Sequence, residues 1–169
     1  MRRLFLLRHA KSSWDEPGLA DRERPLAARG RKASKLIGGH LREEGIAPEL
    51  VLCSPSARTR ETLKRLGVGD GAEVRIEDEL YGASADELLA VLRDLPDELD
   101  SVMLIGHNPG IEDLTIRLAS EGEELARVRE KFPTAALATL ELDTSWRGLA
   151  PGGAELVAFV KPKELSRRA

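Results

Sequence analysis

The chain has 169 residues, which is enough for one domain with a hydrophobic core, and we expect residues 1–169 to form that single domain. Its composition, 41% hydrophobic and 33% charged, is typical of a soluble globular protein, and its net charge of −3 provides no basic surplus for general nucleic-acid binding. The single cysteine, Cys53, excludes an internal disulfide and a zinc site made only of cysteines.

Three short apolar runs are predicted to be strands: 4–7 (LFLL), 50–53 (LVLC) and 102–105 (VMLI). Continuous apolar runs of this length, bounded by polar residues, are typical of strands that are buried on both faces of a sheet. No run in the sequence approaches the roughly 20 apolar residues that span a bilayer. We therefore expect a cytoplasmic protein with no membrane partner.

Helical patterns fill the gaps between these strands. Residues 25–44 carry an apolar stripe at helical spacing, and 84–95 begin with a capping box formed by Ser84 and Glu87. A further helix is predicted at 111–120, and further strands at 73–77, 135–142 and 155–160. Strands that alternate with helices indicate an α/β fold, and we expect a three-layer α/β/α sandwich with a mostly parallel central sheet.

Basic and imidazole side chains follow the three buried runs. Arg8 and His9 come directly after the first run, Arg58 lies a few residues after the second, and His107 follows the third. Because the carboxyl ends of parallel strands meet at one edge of a sheet, we expect these four side chains to converge there.

Two helices are predicted to begin at the same edge. Ser54 and Pro55 suit the N-cap and the first helical position of one helix, and Asn108 and Pro109 repeat this pattern in the other. Helix N-termini offer free N–H groups and the positive end of the helix dipole. Together with two arginines and two histidines, they favour an anionic substrate, and phosphate fits best.

His9 is the candidate nucleophile of this site. Neighbouring arginines disfavour the imidazolium form, so a neutral ring with a free lone pair is expected at neutral pH. His107 is expected to hydrogen-bond the phosphoryl oxygens in the transition state. The sequence contains no P-loop or carboxylate cluster that would add a nucleotide or magnesium, so we expect no cofactor and no metal.

Three motifs of the chain resemble those of the histidine phosphatase (phosphoglycerate mutase-like) superfamily. LLRHAKSSWD resembles its Arg-His-Gly signature, SPSARTRET resembles its second arginine motif through Ser54, Arg58 and Thr62, and IGHNPG resembles its second-histidine motif. The short chain, DRERPLAARGR, FPTAAL and the closing tryptophan-and-proline region are most similar to SixA-type phosphohistidine phosphatases. The resemblance covers nearly the whole chain and implies a phosphoglycerate mutase-like fold without a cap insertion.

By this resemblance His9 is phosphorylated and then hydrolysed, while Arg8, Arg58 and His107 line the phosphate pocket and Ser12 touches the phosphate. Two positions depart from the family pattern. Ala10 replaces the usual glycine, as many SixA-like sequences allow. Asp15 stands where many relatives carry asparagine, and its carboxylate would repel phosphate unless it turns away or pairs with Arg8.

A general acid is not evident in the sequence. Larger relatives supply a glutamate after the middle strand, and Asp78 and Glu79 are weak candidates for that role here. A phosphoramidate nitrogen can be protonated before it leaves, so a missing acid favours phosphohistidine over alkyl phosphates. The expected function is therefore metal-independent removal of phosphate from phosphohistidine on proteins, through a covalent phosphohistidine intermediate.

Two other functions stay open at this point: a small-molecule phosphomonoesterase of the same superfamily, and a binding module that recognises phosphorylated partners without turnover. Neither involves nucleic acid. A cysteine phosphatase is rejected, because its loop needs five residues between Cys and Arg whereas Cys53 and Arg58 enclose four. Cys53 also ends an apolar run, where an inert buried thiol is expected.

Overall fold

A computed structural model of the chain describes residues 1–166 and contains one six-stranded sheet. Its strands are β1 (Arg2–Arg8), β2 (Leu50–Cys53), β3 (Glu73–Ile76), β4 (Ser101–Gly106), β5 (Leu137–Leu142) and β6 (Ala154–Val160). Their order across the sheet is β3-β2-β4-β1-β5-β6. The β3-β2, β2-β4 and β4-β1 pairs are parallel, whereas β5 runs antiparallel to both of its neighbours. The prediction of a mostly parallel sheet is confirmed.

Helices cover both faces of this sheet. They are α1 (Ala28–Glu43), α2 (Ala57–Leu66), α3 (Ala85–Arg93), α4 (Gly110–Leu118), α5 (Glu123–Glu130) and α6 (Pro162–Ser166), with 3-10 turns at Asp21–Glu23 and Asp78–Leu80. Leu4 and Leu6 of β1 point into a core that includes α3, α4 and α5, while Phe5 and Leu7 point into a second core with α1 and α2. The alternation of strand side chains thus produces the predicted three layers.

The sequence patterns located most elements to within a few residues. The capping box of Ser84 and Glu87 is present at the start of α3, with both reciprocal hydrogen bonds formed. The strand predicted at 135–142 begins later, at Leu137, because Ala135 has a φ of 62° and its N–H donates to the carbonyls of Arg8 and His9. Ala135 therefore anchors the end of β1 before β5 starts.

The two helix starts that were predicted at the sheet edge, with N-caps at Ser54 and Asn108, are wrong. The N-cap of α2 is Ser56, whose Oγ accepts from the N–H of Thr59, because the hydroxyl of Ser54 is bound to a histidine ring instead. Helix α4 begins at Gly110, so Pro109 occupies the cap position. Asn108 still bonds the helix through its side chain, since its Oδ1 accepts from the N–H of Glu112 at 3.2 Å.

Two glycines let helices approach the sheet edge at backbone distance. A Cβ on Gly30 of α1 would lie 2.1 Å from the carbonyl oxygen of Lys11, just after β1. A Cβ on Gly110 would lie 2.2 Å from the carbonyl oxygen of Ala83. Larger residues at these positions would push α1 and α4 away from the carboxyl ends of the strands. Within residues 1–166, none of the helices has the length and apolar character that crossing a bilayer requires.

Candidate active site

The two predicted histidines lie side by side at the carboxyl ends of β1 and β4. These strands are paired, with Arg8 opposite Gly106, and the N–H of His9 donates to the carbonyl of Gly106 at 3.0 Å. The imidazole rings of His9 and His107 have centroids 5.3 Å apart, and both residues are buried, at 8% and 9% exposure. The predicted convergence of the first and third motifs is therefore present.

The ring of His9 is held in a defined tautomer. Its Nδ1 lies 2.7 Å from the carbonyl oxygen of Ala10. A carbonyl can only accept, so Nδ1 carries the proton and Nε2 keeps its lone pair. Burial lowers the pKa of His9 to about 3, with His107, Arg58 and Arg8 adding repulsion and the Ala10 hydrogen bond opposing the shift. The ring of His9 is neutral, as expected, but burial lowers its pKa more than the charges of the arginines do.

Thr62 connects the backbone after His9 to helix α2. Its Oγ1 accepts from the N–H of Ala10 at 3.0 Å and donates to the carbonyl of Arg58 at 2.7 Å. Thr62 is fully buried, so both hydrogen bonds are protected from water. This side chain fixes the position of α2, and with it Arg58, relative to His9.

His107 has the opposite tautomer. Its Nδ1 lies 3.3 Å from Nη2 of Arg58, and a guanidinium can only donate, so Nδ1 is the acceptor. Its Nε2–H then donates to Oγ of Ser54 at 2.7 Å. Burial lowers the pKa of His107 to about 4, and the charge of Arg58 adds to the effect. Ser54, which the sequence assigned to a helix cap, therefore orients the second histidine.

Arg58 is 7% exposed and faces a loop as well as His107. Its Nη1 donates to the carbonyl of Asp21 at 2.8 Å, and its Nη2 donates to Oδ2 of the same residue at 3.0 Å. Asp21 begins the 3-10 turn that lies between β1 and α1. The second arginine of the site is therefore already paired with a carboxylate of this chain.

Arg8 reaches the site from the end of β1. Its Nη1 donates to the carbonyl of Phe132 at 3.0 Å, and Nδ2 of Asn108 donates to the same carbonyl at 3.2 Å. Its Nε is buried and contacts no acceptor within residues 1–166. Burial lowers the pKa of Arg8, which the charge of Glu112 partly offsets. Arg8 thus has an N–H donor that the described protein leaves without a hydrogen bond.

Asp21 and Tyr81 belong to this constellation and were missed in the sequence. The hydroxyl of Tyr81 donates to Oδ2 of Asp21, and its ring meets His107 edge-on with centroids 5.4 Å apart. Tyr81, together with Arg58 and Arg24, lowers the pKa of Asp21 to about 2. Both residues lie in loops without periodic patterning. The available signals were the long connection after β1 and the position of the chain's one tyrosine after a predicted strand.

Ser12 contacts an arginine of the rim. Its hydroxyl accepts from Nη2 of Arg24, and Nη1 of Arg24 also donates to Oδ1 of Asp21 at 3.0 Å. The guanidinium of Arg24 stacks on Trp14, 3.2 Å from the ring centroid. Asp15 is exposed and forms no ion pair with Arg8 in the part of the chain that the structure describes. A contact between Ser12 and phosphate stays a prediction.

Neither candidate acid contacts the histidines. Asp78 has a side chain 93% exposed and pairs with Arg22 at 3.7 Å, and Glu79 lines a separate groove together with Arg75. Cys53 is buried, and burial raises the pKa of its thiol to about 12, so a nucleophilic thiolate is excluded.

The arrangement is suited to a tetrahedral oxyanion beside Nε2 of His9. We call Arg8, His9, Arg58 and His107 the cage. It combines a neutral ring nitrogen that carries a lone pair with two guanidinium groups and a second imidazole. Among residues 1–166, no group of three or more His, Cys, Asp or Glu side chains has an arrangement that would hold a metal ion.

Comparison with known proteins identifies relatives of this chain. The family model described as histidine phosphatase superfamily, branch 1, matches residues 4–88. An uncharacterised protein of Mycobacterium tuberculosis is 38% identical over 161 residues, which cover 93% of this chain and 100% of that protein.

Solved structures show the same architecture over nearly the full length. A structure from Nakamurella multipartitia, assigned to phosphohistidine phosphatase SixA, has 34% identity and a TM-score of 0.85, covering 95% of this chain and 96% of that one. A protein histidine phosphatase SixA in complex with tungstate has 26% identity and a TM-score of 0.78, covering 96% of this chain and 99% of that one. The chain is therefore SixA-like in sequence and in fold.

Proposed function

The chain belongs to the histidine phosphatase superfamily and is thus a phosphatase, and we propose that it removes phosphate from phosphohistidine on proteins through an intermediate on His9. The observation that carries this proposal is the tautomer of His9. With Nδ1–H held by the carbonyl of Ala10, the lone pair of Nε2 is available to attack phosphorus. No metal takes part in the proposed reaction.

In the first step, Nε2 of His9 attacks the phosphorus atom of the substrate. The Nε2–P bond forms while the bond from phosphorus to the leaving nitrogen breaks, and the leaving group takes that electron pair. The guanidinium groups of Arg8 and Arg58 stabilise the charge on the phosphoryl oxygens.

In the second step, water attacks the phosphorus atom of phosphorylated His9. The new P–O bond forms, the Nε2–P bond breaks, and the electron pair returns to the imidazole. Both protons of the water molecule leave with inorganic phosphate, and His9 returns to the neutral ring with its proton on Nδ1. The SixA structure of similar fold is a complex with tungstate, a tetrahedral oxyanion, and this supports an oxyanion as the ligand of such a protein.

The protonation states near the cage favour a leaving group that needs no enzymic acid. Asp21 is the carboxylate that contacts Arg58, and its pKa of about 2 keeps it ionised. The hydrogen bond to Asp21 raises the pKa of the Tyr81 hydroxyl. Tyr81 therefore keeps its proton and donates a hydrogen bond to that carboxylate. An imidazole leaving group that already carries a proton departs without an acid, whereas an alkoxide does not. We therefore propose phosphohistidine as the substrate class.

The surroundings of the cage also support a protein substrate. The connection between β1 and α1 supplies only a 3-10 turn beside the cage and no enclosing subdomain. A phosphohistidine that protrudes from another protein can reach a site without an enclosing subdomain, while a small metabolite gains little enclosure there.

The proposal is tested by comparing hydrolysis of a phosphohistidine peptide with hydrolysis of an alkyl phosphate in the presence of a chelator. We expect the peptide to be hydrolysed with a kcat/KM at least about a hundredfold higher, and the His9→Ala variant to be inactive on both. A preference for the alkyl ester would favour the small-molecule phosphomonoesterase. Binding of the phosphopeptide without turnover would favour the binding module.

A further inference from the structure

A groove of about 510 Å³ next to the cage is lined by basic side chains. Its cations are Lys11, Arg29, Lys32, Lys131, Lys161 and Lys163, and we call this surface the basic groove. No Asp or Glu is among its lining residues. Because the whole chain carries a net charge of −3, the surface outside the basic groove is more acidic than that total suggests.

Apart from Lys161, which lies beside the carboxylate of Glu164, these cations have no acidic partner among residues 1–166. Of the six, only Lys161 is half-buried, and the other five are exposed. None of them forms a salt bridge with a carboxylate of residues 1–166. Glu164, which is close in sequence to the groove residues Lys161 and Lys163, is bound by Arg127 at 2.8 Å. The charge of the basic groove is therefore available to a partner.

The basic groove begins at the backbone that carries the proposed nucleophile. Lys11 is two residues after His9, and its carbonyl accepts from the N–H of Ala27 at 2.9 Å. On the other side, Thr134 lines the groove and precedes Ala135, whose N–H donates to the carbonyl of His9 at 3.0 Å. Two backbone segments that line the groove, at Lys11 and at Thr134, therefore lie beside the backbone of His9.

We propose that the basic groove docks an acidic segment of the phosphoprotein substrate, next to the phosphorylated residue that enters the cage. This inference rests on the proposed function, because it assumes a protein substrate. Four Lys side chains and one Arg side chain, all exposed, provide mobile charges that can follow an irregular acidic surface. Ala33, Leu36, Pro133 and Pro162 supply apolar contacts for the stems of glutamate side chains.

A protein partner fits the basic groove better than a nucleic acid. No aromatic side chain lines the groove, whereas single-stranded nucleic acids are bound by stacking on aromatic residues as well as by charge. A long polyanion would also extend beyond the groove onto the acidic remainder of the surface, where it is repelled. A short acidic stretch on a folded protein meets only the cations.

Charge reversal in the basic groove tests the inference. The variant combines Lys32→Glu, Lys131→Glu and Lys163→Glu, three exposed residues that line the groove and are not part of the cage. The matched control combines Arg42→Glu, Lys64→Glu and Arg147→Glu, three exposed cations outside the groove. Both variants change the net charge equally, and unchanged kcat on an aryl phosphate shows that both retain a folded cage.

The substrates are two phosphohistidine peptides that differ only in six flanking residues, which are glutamate in one and serine in the other. We expect the wild type and the control variant to prefer the acidic peptide by about tenfold in kcat/KM, and the groove variant to lose this preference. The preference of the wild type should also disappear at about 0.5 M salt. Equal rates on both peptides, or a preference that survives in the groove variant, would overturn the inference.

A binding experiment separates failure of this inference from failure of the proposed function. Fluorescence anisotropy measures wild-type binding of an unphosphorylated hexaglutamate peptide and of a single-stranded DNA of equal charge. Peptide binding that is weakened by the groove variant and not by the control supports the docking surface even if phosphohistidine is not the substrate. Tighter binding of the DNA, or no binding of the peptide, would contradict it.

Discussion

The cage and the basic groove are both positive and lie side by side, but they use charge in opposite ways. Arg58 of the cage is 7% exposed and is fixed by Asp21 and His107, whereas the groove cations Lys32 and Lys131 are exposed and form no salt bridge with residues 1–166. A buried, oriented charge acts strongly on one atom and resists salt, while an exposed charge acts weakly and is screened. We therefore propose that the cage carries the chemistry and that the basic groove selects the partner.

The largest expected effect is at His9. The His9→Ala variant removes the attacking nitrogen, so we expect kcat on an aryl phosphate to fall by about 10⁴-fold or more. His40 provides the matched control, because it is the histidine of helix α1 and lies outside the cage; His40→Ala should keep wild-type kcat. Initial rates of phosphate release measure both variants. Activity of His9→Ala within tenfold of wild type would remove the basis for the contrast.

Burial of the cage also predicts a large change in proton affinity. With its pKa at about 3, His9 should stay neutral from pH 8 down to about 5. The lowering of the pKa from its usual value corresponds to a decrease in proton affinity of roughly a thousandfold or more. The pKa is lowered, so the competent neutral form is lost only as the pH falls through the folded value, and not near pH 6.5.

The measurement is a ¹H–¹³C NMR titration of the histidine ring protons, with His40→Gln used to remove the third histidine signal. His107, with its pKa lowered to about 4, should begin to titrate before His9 as the pH falls. A midpoint near 6.5 for either cage histidine would show that the cage is solvated like the groove.

A smaller effect is expected at Arg58. Replacement by Met keeps the length of the side chain but removes its charge-assisted hydrogen bonds, so we expect kcat/KM to fall by about a hundredfold, or about 3 kcal/mol. Arg60, the exposed arginine two residues further along α2, is the control, and Arg60→Met should have little effect. Comparison at low and high salt sharpens the test, because the loss at Arg58 should persist at about 0.5 M salt. A loss that vanishes with salt would place Arg58 with the groove residues.

The smallest expected effect concerns Asp21, the carboxylate that pairs with Arg58. Asp21→Asn keeps a side-chain oxygen but removes a negative charge next to the cage, so inorganic phosphate should inhibit the variant at a concentration about fivefold lower. Asp15→Asn, a change of the same charge at an exposed site, should leave the inhibition constant unchanged. Weaker inhibition of Asp21→Asn would mean that the carboxylate orients Arg58 for phosphate and does not compete with it.

The sequence predicted the cage well because strand ends carry it. Apolar runs located β1, β2 and β4, and parallel pairing then placed His9 and His107 at one edge. The prediction failed at Ser54. The local sequence pattern favoured a helix cap, but the Ser54 hydroxyl binds His107, a residue that is far away in the sequence.

Sequence patterns could not predict the loop residues Asp21 and Tyr81 or the basic groove, for a related reason. Asp21 and Tyr81 meet only after the segment between β1 and α1 folds back on α2, and no periodicity encodes that path. The groove cations come from four separate stretches of the chain, each of which looks like an ordinary solvated surface by itself. Their alignment into one patch is a property of the tertiary fold.

The most direct test of the central claim is to trap the phosphoryl group on the protein. A ³²P-labelled phosphohistidine peptide is mixed with the wild type and quenched in alkali within milliseconds, and the labelled residue is mapped by proteolysis and mass spectrometry. We predict a label on His9 that is stable to alkali and labile to acid, with no label in His9→Ala. Turnover of the peptide without any label on His9, or a label on another residue, would contradict it.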